Sequence, residues 1–220
     1  MTLSRNKKIR MGISLRIERI EKYDEARDTI SQDWIKLLKK IDALPVLIPN
    51  SLDDVEIFLE EMEVDGIILS GGDNIGDFPE RDRTEKKIID FGIEKKLPIF
   101  GVCRGMQVLN NYFGGSIKAN ITTSHVGKPH AVQIVDKKIQ GLFGTNSFEV
   151  NSYHNNIINP TMLGEELLPF ALVDHDNTVE GYFHKKLPII GVMWHPERDK
   201  NFKYESILLN VFQNKLLWTR

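Results

Sequence analysis

Leu97-Pro98-Ile99-Phe100-Gly101-Val102-Cys103-Arg104-Gly105-Met106-Gln107 constrains this chain more than any other stretch. The short apolar run behind Pro98 reads as a buried strand, and Met106 to Phe113 has helical periodicity, which leaves Cys103 on the turn between them. Gly101 and Gly105 stand two residues either side of it. That is the spacing of a nucleophile elbow, in which a strained strand-to-helix turn lifts one side chain clear of a sheet. Glycines suit those positions because backbone has to pass close by without Cβ atoms. A thiol at a helix N-terminus also meets unpaired N–H groups and the positive end of the helix dipole. The expectation is a stabilised thiolate, nucleophilic near neutral pH.

Around that stretch strands and helices alternate. Ile9 to Ser14 reads as a strand, followed by a charged loop from Arg16 to Arg27 and a helix marked by Trp34, Leu37, Leu38 and Ile41. Pro45 to Pro49 is a short buried strand, Leu52 to Met62 an amphipathic helix, and Val64 to Leu69 a strand that runs into Ser70-Gly71-Gly72-Asp73. Thr84 to Lys96 is a third helix. This order predicts an α/β fold with a central, mostly parallel sheet and helices on both faces. Sites on such sheets lie beyond the C-terminal ends of the strands, so the Gly71-Gly72 turn and Cys103 are expected to be neighbours. After Gly115, Ala131–Val135, Ser147–Val150 and Thr178–Tyr182 read as short antiparallel strands, a small extension of the sheet. Pro188 to Met193 is another buried strand, delivering Trp194-His195-Pro196-Glu197, and Tyr204 to Leu217 is a closing helix. With no linker or repeat in its 220 residues, the chain is expected to form a single domain over residues 1–220.

Charge narrows the partners. With 29 Lys and Arg against 31 Asp and Glu, a net charge of -2, neither nucleic acid nor a membrane surface is an expected partner. Met1 to Arg10 is basic without an apolar segment, and no later run approaches the roughly 18 apolar residues of a membrane span. A cytoplasmic protein is expected. One Cys rules out an internal disulfide, and no set of His, Cys and carboxylates has metal-ligand spacing. No metal or other cofactor is expected.

A thiol nucleophile needs a base, and the base needs a group to orient it. His195 follows a buried strand, and Glu197 stands two residues on, a spacing that in extended backbone puts both side chains on one side. The other histidines, His125, His130, His154, His175 and His184, lack such a partner pattern. Acyl chemistry also needs donors for an oxyanion. The N–H of Arg104, next after the nucleophile, and that of Gly72 or Gly71 are the natural ones.

Together these residues resemble the class I glutamine amidotransferase family, whose sites hold a Cys-His-Glu triad. The resemblance runs through Ser70-Gly71-Gly72-Asp73, the Cys103 elbow, Asn151-Ser152-Tyr153-His154 and Gly191-Val192-Met193-Trp194-His195-Pro196-Glu197, in order and over nearly the whole chain. It implies a flavodoxin-like class I glutamine amidotransferase fold. Cys-Arg-Gly-Met-Gln at the elbow, Arg81-Asp82-Arg83-Thr84-Glu85 and Val150-Asn151-Ser152-Tyr153-His154 look like the γ-glutamyl hydrolase, or peptidase C26-like, branch. The resemblance implies that Cys103 attacks a γ-glutamyl carbonyl, with His195 as acid and base and Glu197 orienting it. Gln107, Gly71 and the backbone at Ser152-Tyr153 would hold the glutamyl end. The loop Asp73 to Pro79 is shorter than that of the polyamine-pathway hydrolases, which would leave the leaving-group side open to a bulky group. Separately, the chain resembles the compact bacterial hydrolases that split γ-glutamyl-CDP-amidate in capsule phosphoramidate synthesis. Arg16, Arg19, Arg81, Arg83 and Lys128, in expected loops, are candidates to meet a pyrophosphate. The alternatives are a γ-glutamyl-γ-aminobutyrate-type hydrolase and a glutaminase subunit supplying ammonia to a separate synthase chain. A synthase partner or a homodimer stays open, and a non-catalytic binding domain ranks last.

Overall fold

Alternation along three short apolar runs decides the layering. Ile67, Leu69, Ile99 and Ile189 pack on one side of the central sheet, and Ile68, Phe100, Val102, Ile190 and Val192 on the other. The computed structural model describes residues 8–119, 127–174, 176–199 and 203–218. Its first half runs β1 (Ile9–Ser14), β2 (Arg16–Ile20), β3 (Glu25–Thr29), α1 (Gln32–Lys40), β4 (Ala43–Ile48), α2 (Val55–Glu61), β5 (Gly66–Leu69), α3 (Pro79–Glu94), β6 (Ile99–Val102) and α4 (Arg104–Tyr112). The second half continues with β7 (Lys118–Ala119), β8 (His130–Ile134), α5 (Lys137–Phe143), β9 (Ser147–Val150), β10 (Asn156–Ile157), β11 (Leu167–Val173), β12 (Val179–His184), β13 (Ile189–Val192) and α6 (Lys203–Asn214).

Nine strands form one sheet in the order β4-β1-β5-β6-β13-β12-β11-β8-β9. The first five are parallel to their neighbours, and every pairing from β13 to β9 is antiparallel, so the expected extension is continuous with the parallel part. Trp34, Leu37 and Leu38 of α1, Ile139 and Phe143 of α5, and Leu208, Leu209, Val211 and Phe212 of α6 cover one face. Val55 and Leu59 of α2, Ile88, Ile89 and Phe91 of α3, and Met106 and Leu109 of α4 cover the other. Among the described residues no helix is long and apolar enough to cross a membrane.

Several local expectations are corrected. The charged stretch Arg16 to Arg27 is a hairpin of β2 and β3 rather than a loop. Ile17 is its buried anchor, and Asp24 in the left-handed region helps turn the chain. Helix α3 starts at Pro79, five residues before the expected Thr84. Proline has no N–H to lose in a first turn, and the buried face there is Arg81, Thr84 and Glu85 rather than aliphatic residues. The strand expected between Pro45 and Pro49 is β4, an edge strand bonded only to β1, with Leu44 and Leu47 exposed. Helix α5 and strand β11 were not expected. The Asp136 cap on the Ile139 N–H and the left-handed Gly144 mark the ends of α5, whereas Pro169 and two register shifts obscure β11.

Candidate active site

Three strand ends meet at one sheet edge. Strand β6 lies between β5 and β13, with Leu69 opposite Gly101 and Val192 opposite Val102. Residues just past those ends, 70–72, 103 and 193–197, therefore share one neighbourhood. Cys103 sits at φ 51° and ψ −105°, a strained conformation for a residue with a side chain, and its N–H donates to the Val192 carbonyl at 2.8 Å. A Cβ at Gly105 would fall 2.1 Å from the Leu69 carbonyl oxygen, and one at Gly101 would fall 2.7 Å from the Gly105 backbone. The turn closes only with glycine at both positions.

His195 and Glu197 are both buried, with Nδ1 2.7 Å from Oε1. The reach is not that of extended backbone: His195 is extended, but Pro196–Arg198 makes a 3₁₀ turn that swings the carboxylate back. The carboxylate thereby occupies Nδ1 and leaves Nε2 for another partner. A Cβ at Gly71 would lie 2.8 Å from His195 Cε1 and 3.5 Å from Cys103 Cβ, so the imidazole and the Cys103 side chain flank the same point. Asn151 fixes the histidine from behind. Its amide donates to the His195 carbonyl at 2.8 Å and accepts the His195 N–H at 2.9 Å. Sequence reasoning placed Asn151 in a motif and gave it no role, since nothing in its neighbours announces a partner 44 positions away. The Tyr153 ring meets the His195 ring edge-on at 5.7 Å, and the Arg198 guanidinium lies 4.5 Å over Tyr153.

The thiol is not preset as a thiolate. Burial pushes Cys103 up to about 11, the Arg104 N–H pulls against it, and the carboxylates of Glu197 and Glu180 push further up. The helix terminus acts in the expected direction but does not offset the loss of water.

The Arg104 N–H bears on the Cys103 sulfur, and Gly71 lies beside the Cys103 Cβ. Among the described residues nothing accepts a hydrogen bond from the N–H groups of Gly71 or Gly72. Gln107 is buried, and its Oε1 accepts from Asn156 Nδ2 at 3.2 Å. It borders a cleft of about 710 Å³ lined also by Asn74, Ile75, Asn111 and Asn156. Ser152 is buried with its hydroxyl unpartnered, whereas Tyr153 is half-exposed. A water-sized cavity of about 20 Å³ touches His195, Glu197, Gly72, Arg16 and Arg198.

Of the basic residues expected in loops, Arg81 and Arg83 lie on α3 and Arg16 and Arg19 on β2. Only Lys128 lies outside a helix or strand. Arg81 is sealed in ion pairs with Glu85 and Asp73, so it is not placed to meet a diphosphate. Two histidines also gain partners that spacing did not reveal. His154 Nε2 lies 3.3 Å and His130 Nε2 3.6 Å from the carboxylate of Glu180, which is fully buried. His184 Nδ1 accepts the N–H groups of Lys186 and Leu187, and His125 and His175 lie outside the described residues. Among the described residues no group of three or more His, Cys, Asp or Glu could hold a metal ion.

Adjacent parallel strands that present a cysteine elbow and a bonded His-Glu pair at one edge define a class of α/β proteins related to the glutamine amidotransferases. A glutamine amidotransferase from Thermotoga maritima shares the fold, with a TM-score of 0.65 at 15% identity over 97% of this chain and 96% of that one. The family model for peptidase C26 matches residues 11–197, and the chain belongs to that family of hydrolases. The γ-glutamyl-CDP-amidate hydrolase of Campylobacter jejuni is 32% identical over 209 residues, 92% of this chain and 96% of its own. One subunit of the glutamine-hydrolysing GMP synthase from Methanococcus aeolicus is 31% identical over 166 residues, 74% of this chain and 80% of its own.

Proposed function

We propose that this protein hydrolyses a γ-glutamyl amide through Cys103, and that its substrate is γ-glutamyl-CDP-amidate. The observation that carries the reading is the 2.7 Å His195–Glu197 bond, with the imidazole and the Cys103 side chain on either side of Gly71. As the sulfur attacks the γ-carbonyl carbon, His195 takes the thiol proton. It then gives that proton to the leaving nitrogen as the C–N bond breaks and the glutamyl thioester forms. Water attacks the thioester, His195 accepts its proton, and glutamate leaves with the thiol restored. A high thiol pKa suits this sequence, because the proton moves during attack rather than before it. The N–H groups of Gly72 and Arg104 receive the oxyanion, and Glu197 stabilises the imidazolium. Gln107, which lines the 710 Å³ cleft, and Gly71, Ser152 and Tyr153 hold the glutamyl end.

For the leaving group, the support is the Campylobacter relative's activity together with two cations, Arg16 and Arg198, beside His195. Glutamate release is measured from γ-glutamyl-CDP-amidate, γ-glutamyl-γ-aminobutyrate and free glutamine. Preference for the first is expected, with cytidine diphosphoramidate as co-product. Preference for glutamine would favour the second reading, a glutaminase subunit feeding a separate synthase, which the Methanococcus relative supports.

A further inference from the structure

The first turns of α3 contain an arrangement that stability alone does not explain. Arg81 is fully buried, yet an ion pair buried this way is commonly no more stabilising than well-packed apolar residues. Every branch of its guanidinium is engaged. Nε donates to Glu85 Oε1 at 3.1 Å, Nη1 to Asp73 Oδ2 at 3.0 Å, and Nη2 to the carbonyls of Ser70 at 3.0 Å and Gly71 at 3.1 Å. Burial draws its pKa down, opposed by Glu85 and Asp73, and an arginine so paired keeps its charge.

The two carbonyls are what matter. In a planar trans peptide the N–H points opposite to the C=O, and the described residues contain no cis bond. Holding Ser70 O and Gly71 O on Arg81 therefore turns the N–H groups of Gly71 and Gly72 away from it. With both carbonyls on the one guanidinium nitrogen, the N–H groups of Gly71 and Gly72 face the opposite side together. Neither N–H has an acceptor among the described residues, and the open side of Gly71 faces His195 and Cys103. Behind Arg81 stands Glu85, which accepts from Ser14 Oγ at 2.9 Å and pairs with Arg104 Nη1, so one carboxylate ties together both halves of the oxyanion site. Ser14 Oγ in turn accepts the Ser70 N–H at 3.0 Å.

We infer that Arg81 is a positioning residue of the oxyanion hole: it locks the Gly71–Gly72 peptide with its N–H toward the substrate oxygen, with Glu85 and Ser14 as its supports. The inference rests on the γ-glutamyl hydrolase reading.

The test compares two reactions of Cys103 in wild type, Arg81→Lys, Arg81→Met and Ser14→Ala. Hydrolysis passes through an oxyanion, whereas alkylation by iodoacetamide needs the same sulfur and forms none. In the Arg81 variants kcat for glutamate release is expected to fall about 100-fold, the scale of losing one oxyanion donor. KM and the alkylation rate should stay near wild type. Lysine keeps the charge but not the fork, so it should restore less than a tenth of the lost rate. Ser14→Ala leaves every ion pair intact and covers the case in which the Arg81 variants do not fold. It should lower kcat by about tenfold, a fraction of that same effect, and spare alkylation. Unchanged kcat in a folded variant, or kcat and alkylation falling in parallel, would overturn the inference while the hydrolase reading stands. A wild type that releases no glutamate from any of the three substrates would remove both.

Discussion

Gly71, Cys103, His195 and Glu197 meet at distances short enough for single atoms to matter. A methyl group at Gly71 would stand 2.8 Å from His195 Cε1, so Gly71→Ala must displace the imidazole. We expect about a 100-fold loss of kcat with little change in melting temperature, checked by steady-state kinetics beside thermal unfolding. Cys103→Ser and His195→Asn should lower kcat by several orders of magnitude. Glu197→Gln should keep more residual activity, because it orients the base without taking the proton. Equal losses at all three positions would contradict those roles. With the Cys103 thiol pushed up to about 11, its alkylation in the free enzyme should be slow at neutral pH and keep accelerating as the pH is raised toward that value.

Helix α4 and strand β5 approach so closely at the elbow that backbone meets backbone. Gly105→Ala would set a Cβ 2.1 Å from the Leu69 carbonyl, and neither element can yield without moving Cys103. A loss of about 3 kcal/mol in urea unfolding is expected, and full stability would show that the turn is looser than described. Helix α3 works differently. Its first turns bury Arg81 and Glu85 instead of aliphatic side chains, which hid its start from a reading of hydrophobic periodicity and made it the frame behind the Ser70-Gly71-Gly72 turn.

At the scale of the whole molecule, one fully buried charge among the described residues is Glu180 of β12. Burial opposes its ionisation, but the imidazoles of His130 and His154 beside it win and hold it at about 2. For His154, burial pulls the pKa down and Glu180 more than compensates, raising it above its ordinary value. A depressed carboxylate stabilises fully above its ordinary value of 4.5, and that contribution is lost as the pH falls through about 2. A raised histidine contributes fully below 6.5 and loses its share as the pH rises through its folded value. Stability should therefore fall on both sides of a weakly acidic window, measured as urea midpoints against pH. Glu180→Gln should cost about 3 to 5 kcal/mol and flatten the acid limb.

The elbow, the strand before His195 and the alternation of apolar runs are short-range patterns, and each was legible along the chain because local periodicity and glycine spacing express backbone geometry directly. The resemblance they support reached the family and the fold. That Gly71, Cys103 and His195 meet was expected from their places past strand ends, and the order β5-β6-β13 realises it. What the amino-acid order did not disclose were the contacts made by residues without a local pattern: the seating of Asn151 clamps the histidine, and the folding of α3 over the turn converts Arg81 from an expected loop cation into a sealed one. The sequence by itself determined the kind of chemistry through its residue types. Only the tertiary structure decided how water is excluded, and that exclusion sets the Cys103 thiol high and makes a buried arginine worth its desolvation.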